Sequence, residues 1–158
     1  MAQGRLSHRR GFTVIEVLTV LFFLSLLAAG TVPLYRTFII KYQLVANAEE
    51  LQQLVRTAQN LSMANRADSQ YGVHLVSGAG GQFVLFKGAS YATRDTTYDE
   101  ISYDLPSSLS LSETVSGEDI VFTKFQGGTS NTGTVTLTST ELDTRTVTVN
   151  AAGMVELD

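Results

Sequence analysis

Residues 17–35, VLTVLFFLSLLAAGTVPLY, form an unbroken run of 19 uncharged positions. Wound as an α-helix rising 1.5 Å per residue, they reach roughly 28 Å, close to the hydrocarbon thickness of a bilayer. After Arg36 the pattern changes. Leu44, Ala48, Leu51, Val55, Ala58 and Leu61 recur at three- and four-residue spacing, with Lys41, Gln43, Asn47, Glu50, Gln53 and Gln59 between them. This periodicity predicts one helix over about residues 13–64, apolar on all sides at first and amphipathic later, with the later stripe packed as core against a sheet. Gly30 and Pro33 fall inside it. Proline removes one backbone hydrogen bond, so Pro33 predicts a bend rather than an end.

Beyond Asn65 the period shortens to two. Runs of β-branched and aromatic residues separated by Gly, Asn, Ser and Asp predict strands at 71–76, 82–87, 101–103, 120–125, 134–138, 145–149 and 154–157. The alternation Thr134-Val135-Thr136-Leu137-Thr138 and Thr146-Val147-Thr148-Val149 gives each of those strands one buried face. Short connections at residues 77–81 and 150–153 read as hairpin turns. An amphipathic helix covering an antiparallel sheet is an α+β fold. Alternation also sets His74 opposite Val73 and Leu75, which predicts a solvent-facing imidazole.

Charge adds direction to this outline. Arg5, Arg9 and Arg10 crowd the first ten residues, so the positive-inside tendency keeps that end in the cytoplasm and carries everything after Arg36 across the membrane. Without residues 1–11 the chain retains 8 Lys/Arg against 15 Asp/Glu, an acidic balance that argues against a purely electrostatic nucleic-acid binder. No cysteine is present, so disulfides and cysteine-ligated zinc are excluded and thiol usage reveals nothing about compartment. Two processing schemes fit the N-terminus. In one, Ala28-Ala29-Gly30 ends a secretory signal peptide and a soluble binding module is released. That scheme leaves Glu16 unexplained, a carboxylate at the edge of an apolar segment, where an unpaired charge costs several kcal/mol. A Glu at the end of a span can also simply reach headgroups and water.

In the other scheme, Gly11-Phe12-Thr13-Val14-Ile15-Glu16 after a basic leader resembles the prepilin peptidase site of the type IV pilins and pseudopilins. The resemblance implies cleavage between Gly11 and Phe12 and N-methylation of Phe12. It makes Glu16 the fifth mature residue, which meets the N-terminal amine of a neighbouring subunit. It also places Pro33 at the twenty-second mature position, where the family carries a helix-bending proline. The second half resembles the minor pseudopilin H of type II secretion systems and related fimbrial minor pilins. The segments that carry this are residues 51–59 leading into Tyr71-Gly72-Val73, Phe86-Lys87, and residues 147–155.

The resemblance therefore implies a pilin-like fold with a leader at 1–11, a transmembrane and filament-core helix at 12–35, an amphipathic helix at 36–65 and a β-rich periplasmic head at 66–158. The chain would be a single-pass protein of the bacterial inner membrane and a minor pseudopilin of a type II protein secretion system. A minor type IV pilin for pilus biogenesis, adhesion or DNA uptake is the alternative. Its partners would be other pilin or pseudopilin subunits, the prepilin peptidase and an inner-membrane assembly platform. Glu16 argues against a tip-most cap, a position that tends to lack this glutamate.

Candidate chemistry elsewhere is sparse, and neither an enzyme nor a cofactor is expected. Once His8 leaves with the leader, His74 is the last imidazole and makes no triad. Gly88-Ala89-Ser90-Tyr91-Ala92 brushes the nucleophile-elbow pattern but ends in Ala, and Gly78-Ala79-Gly80-Gly81 lacks the third glycine and helix of a dinucleotide loop. Asp95, Asp99, Glu100 and Asp104 could supply oxygens to calcium, but their irregular spacing lacks an EF-hand's ligand ladder and reads better as a solvated acidic face. Asn60-Leu61-Ser62 matches a glycosylation acceptor, yet it sits within the predicted helix of a protein with bacterial targeting.

Overall fold

The computed structural model describes residues 11–98 and 101–158, with residues 30–34 as backbone only. The chain divides into two units, one ending at Thr37 and the other spanning Phe38–Asp158. Helix α1, Val14–Met63, contributes to both. Among the described residues no helix is long and apolar enough to cross a membrane. The predicted span includes residues 30–34, and the helix continues through Pro33 rather than ending there, as expected.

From Val14 to Ala29 every side chain of α1 is exposed. Phe12, Val14, Ile15, Val17, Leu18, Val20, Leu21 and the apolar residues through Leu27 are all exposed. In the second unit the amphipathic stripe behaves as its spacing predicts: Leu44, Ala48, Leu51, Val55 and Ala58 are buried, and Leu61 is partly so. Asn65 ends the helix in the left-handed region at φ 47°, a conformation Asn tolerates better than most residues.

Nine strands follow among the described residues, all paired antiparallel: β1 Tyr71–Val76, β2 Gly78–Ala79, β3 Gln82–Lys87, β4 Ile101–Asp104, β5 Leu109–Glu113, β6 Asp119–Val121, β7 Gly133–Ser139, β8 Thr144–Val149 and β9 Val155–Leu157. They form two sheets, ordered β4-β3-β1-β6 and β2-β5-β7-β8-β9, where the sequence suggested one. The helix stripe, Val73, Leu75, Phe83 and Leu85 of the first sheet, and Leu109, Leu111, Val135, Leu137, Val147 and Val149 of the second share one core.

Three predictions need correction. β5 was not anticipated, because Ser110 and Ser112 interrupt the β-branched composition. Their neighbours Leu109 and Leu111 are nonetheless buried, and the serine hydroxyls donate to the Thr138 and Thr136 carbonyls. The strand expected at 120–125 stops at Val121. Phe122 N–H still donates to Tyr71 O, but β1 begins there and offers no further partner, so the chain turns, with Phe125 at φ 63°. Residues 77–81 are more than a turn, since Gly78 and Ala79 pair with Leu111 and Ser110 and tie the β1–β3 connection to the second sheet.

The second half of α1 is also bound to the head by polar contacts. Ser62 Oγ accepts the Tyr71 N–H at 2.9 Å and donates to Tyr71 O at 3.3 Å. Gln59 Nε2 donates to Gly127 O at 2.8 Å and Arg56 to Val155 O at 3.2 Å. Ser62 is fully buried, so the sequon at Asn60 ends in a structural hydroxyl.

Candidate functional site

Gly11, Phe12 and Thr13 precede α1 in exposed, non-helical backbone, with Phe12 79% exposed. A side chain at Gly11 would meet nothing. The Gly11–Phe12 bond thus lies in exposed, non-helical backbone. Thr13 then starts the helix: its carbonyl accepts from Glu16 and Val17, and its hydroxyl accepts the Glu16 N–H at 3.3 Å. Thr13-x-x-Glu16 has the spacing of a capping box, which places a carboxylate in the positive first turn of the helix dipole. Glu16 consequently has a local reason to be where it is, one that a search for helix caps reads directly from the sequence.

The helix surface beyond Glu16 is stripped of other polar demands. Thr19 Oγ1 donates to Ile15 O and Ser25 Oγ to Phe22 O, both at 2.7 Å. With those hydroxyls satisfied inside the helix, the Glu16 carboxylate is the one ionisable group among residues 12–29. Apolar exposure also continues past Arg36. Phe38, Tyr42 and Val45 project at helical spacing from a side of α1 distinct from the buried Leu44, Ala48 and Leu51. That second stripe was legible in the spacing but is masked by the charges around it.

His74 is not solvent-facing. Its ring stacks on Tyr91 with centroids 3.9 Å apart and planes within 4°. Nδ1 lies 2.7 Å from Asp119 Oδ1, and Asp119 Oδ2 accepts the Tyr91 N–H at 2.9 Å. Arg94 covers the other side of Tyr91, its Cζ 3.9 Å from the ring centroid. The outer face of the first sheet, where Val84 and Phe86 are also buried, is therefore roofed by residues 88–94. Alternation places His74 opposite the core correctly, but it cannot show that a distant loop covers that side. Gly72 makes room there, since a Cβ would lie 2.8 Å from both Phe86 and the Ile120 carbonyl. Ser90 of the elbow-like segment caps a single turn of 3-10 helix, Tyr91–Thr93, by accepting the Thr93 N–H.

The acidic candidates have separate partners. Asp95 pairs with Lys87 at 2.8 Å and accepts from Thr97 N and Oγ1 at 3.0 and 2.6 Å. The Lys87 hydrogen bond, aided by Thr97, holds its carboxyl down at about 2, and Asp95 in turn raises Lys87. Asp104 accepts from Gln82 Nε2 at 2.6 Å. Asp99 and Glu100 lie outside the described residues. Among the described residues, no three metal-ligating side chains gather.

No family model matches the sequence, and a search of curated proteins finds no match. The fold is similar to the crystal structure of the type IV minor pilin FimU of Pseudomonas aeruginosa. The TM-score is 0.57 at 18% identity, over 77% of this chain and 92% of that one. The architecture is thus pilin-like: an α+β fold with an N-terminal helix packed on antiparallel sheets.

Proposed function

We propose that the chain is a minor subunit of a type IV pilus-like filament. It is inserted with its basic end in the cytoplasm, cleaved between Gly11 and Phe12, and assembled by packing of its N-terminal helices while the head faces the periplasm. The observation that carries this reading is the first half of α1, apolar on every side and exposed, joined without a break to the helix that builds the core of a pilin-like head. Each large apolar side chain left in water forgoes about 1.5–3 kcal/mol of burial, so this surface requires lipid before assembly and neighbouring helices after it. Cleavage creates a cation at Phe12, and a neighbour's Glu16 is the group available to neutralise it in apolar surroundings. The likeness of the fold to FimU, a type IV minor pilin, favours a minor pilin over the type II secretion pseudopilin that the sequence patterns put first.

The reading is tested with Glu16→Ala, followed by cleavage assay and filament isolation. The variant is expected to be cleaved and membrane-inserted yet largely missing from filaments. Incorporation at the normal level removes the role given to Glu16.

A further inference from the structure

The second unit begins at Phe38, three residues after Tyr35, where the uncharged run ends. Three residues of chain span at most about 11 Å, so the end of the head that holds Phe38 is tethered close to the surface of any bilayer that takes up the apolar run. What that end displays is apolar. Phe38 and Tyr42 stand about one helical turn apart on α1 and are 69% and 70% exposed. Lys41, between them, pairs with Asp143 at 3.3 Å and so brings the turn between β7 and β8 to the same end.

That turn holds Leu142 at φ 66° and 83% exposed. Its backbone is pinned: Leu142 N–H donates to Ser139 O at 2.9 Å, Asp143 N–H to Ser139 Oγ at 3.2 Å, and Thr140 N–H to Ser108 O at 2.9 Å. Asn or Asp would occupy the left-handed region with less strain than a branched apolar side chain. Leucine therefore suits neither the backbone nor water at this position, and an apolar surface that receives it accounts for both.

Charge narrows the choice of surface. Lys41 and Asp143 cancel. Exposed Glu141 and Arg145, which have no oppositely charged partner among the described residues, also cancel. A patch without net charge has no electrostatic pull toward an anionic surface. Its separate cation and anion instead match the phosphate and ammonium of a zwitterionic headgroup. Aromatic rings with an apolar body at the edge of a span are the groups that settle at the membrane–water interface.

We propose that, before assembly, this end of the head lies on the periplasmic leaflet, with Leu142 inserted at headgroup level beside Phe38 and Tyr42, Arg145 toward lipid phosphate and Glu141 toward lipid ammonium. The inference rests on the membrane insertion of the proposed function and adds to it a second foothold on lipid, made by the head itself.

The chain has no cysteine, so a single one can be labelled cleanly. Full-length chain carrying an environment-sensitive dye at Thr140→Cys is placed in nanodiscs of zwitterionic lipid at one copy per disc. The same dye at Ser130→Cys, beyond the opposite end of β7, is the control, and at Leu24→Cys it reports insertion of the apolar helix. Headgroup-spin-labelled lipid is expected to quench the Thr140 dye about threefold more than the Ser130 dye, and Leu142→Asn to remove that difference. Asparagine suits the left-handed backbone better than leucine, so the variant keeps its fold. Quenching equal to that at Ser130, unchanged by Leu142→Asn, or abolished by high salt overturns the foothold. So does shielding of the Thr140 dye that arises only in discs holding several copies, which makes a neighbouring subunit the occupant. If lipid spin-labelled deep in its chains quenches the Leu24 dye while the Thr140 dye stays in water, only this inference fails. If the Leu24 dye is not quenched, the membrane-insertion reading itself fails.

Discussion

At the scale of single residues, Glu16 carries two roles that chemistry can separate. At the helix start its backbone N–H meets the Thr13 hydroxyl, and the Thr13-x-x-Glu16 spacing is that of a capping box, in which glutamine serves as well as glutamate. As counter-ion to a neighbour's amine it needs the negative charge. Glu16→Gln is therefore expected to keep the helix start and still assemble as poorly as Glu16→Ala, measured by subunit recovery in sheared filaments, and recovery close to the native level assigns Glu16 to capping alone. Asp95 gives a second residue-level prediction. Its folded pKa, about 2, lies below the ordinary carboxylate value of 3.8. The sign follows: its contribution is fully present above 3.8 and is lost as pH falls through about 2. Replacing Lys87 with Met is expected to move the Asp95 titration, followed by NMR, up toward the ordinary value.

The elements divide by how far their determinants reach along the chain. Helix α1 was legible almost to the residue, because its buried stripe and polar interruptions repeat within a few positions. Leu51, fully buried at the centre of that stripe, is expected to cost about 2–5 kcal/mol as Ala in denaturant unfolding. β1 and β3 were legible for the same local reason. β5 was hidden by serine content, the end of β6 by the length of its partner β1, and the second sheet by pairings between residues far apart in sequence. The covering of His74 belongs with these, since Tyr91 and Asp119 reach it from other elements. His74→Ala removes the stacking surface and the Asp119 contact together. Amide exchange in residues 88–94 is therefore expected to quicken while the β7–β8 ladder keeps its protection. Equal exchange in the variant and the native chain separates that loop from His74.

For the whole molecule, two kinds of surface sit on one chain. The head encloses a single core of helix stripe and two sheets, as a domain able to hold its own structure does. The first half of α1 displays exposed apolar side chains from Phe12 to Leu27. The motif at Gly11 and Phe12, a processing site in the proposed reading, is linear and so can be read from the sequence alone. The patch at Leu142 cannot, because it is assembled from a helix and a hairpin far apart in sequence. In the proposed reading the position of the cut decides whether the apolar segment stays on the mature protein. The measurement that bears most directly on the account is the N-terminal mass and sequence of the mature chain recovered from its own membranes. The account predicts a chain beginning with N-methylated Phe12, and a chain beginning at Thr31, stripped of the apolar helix, would contradict it.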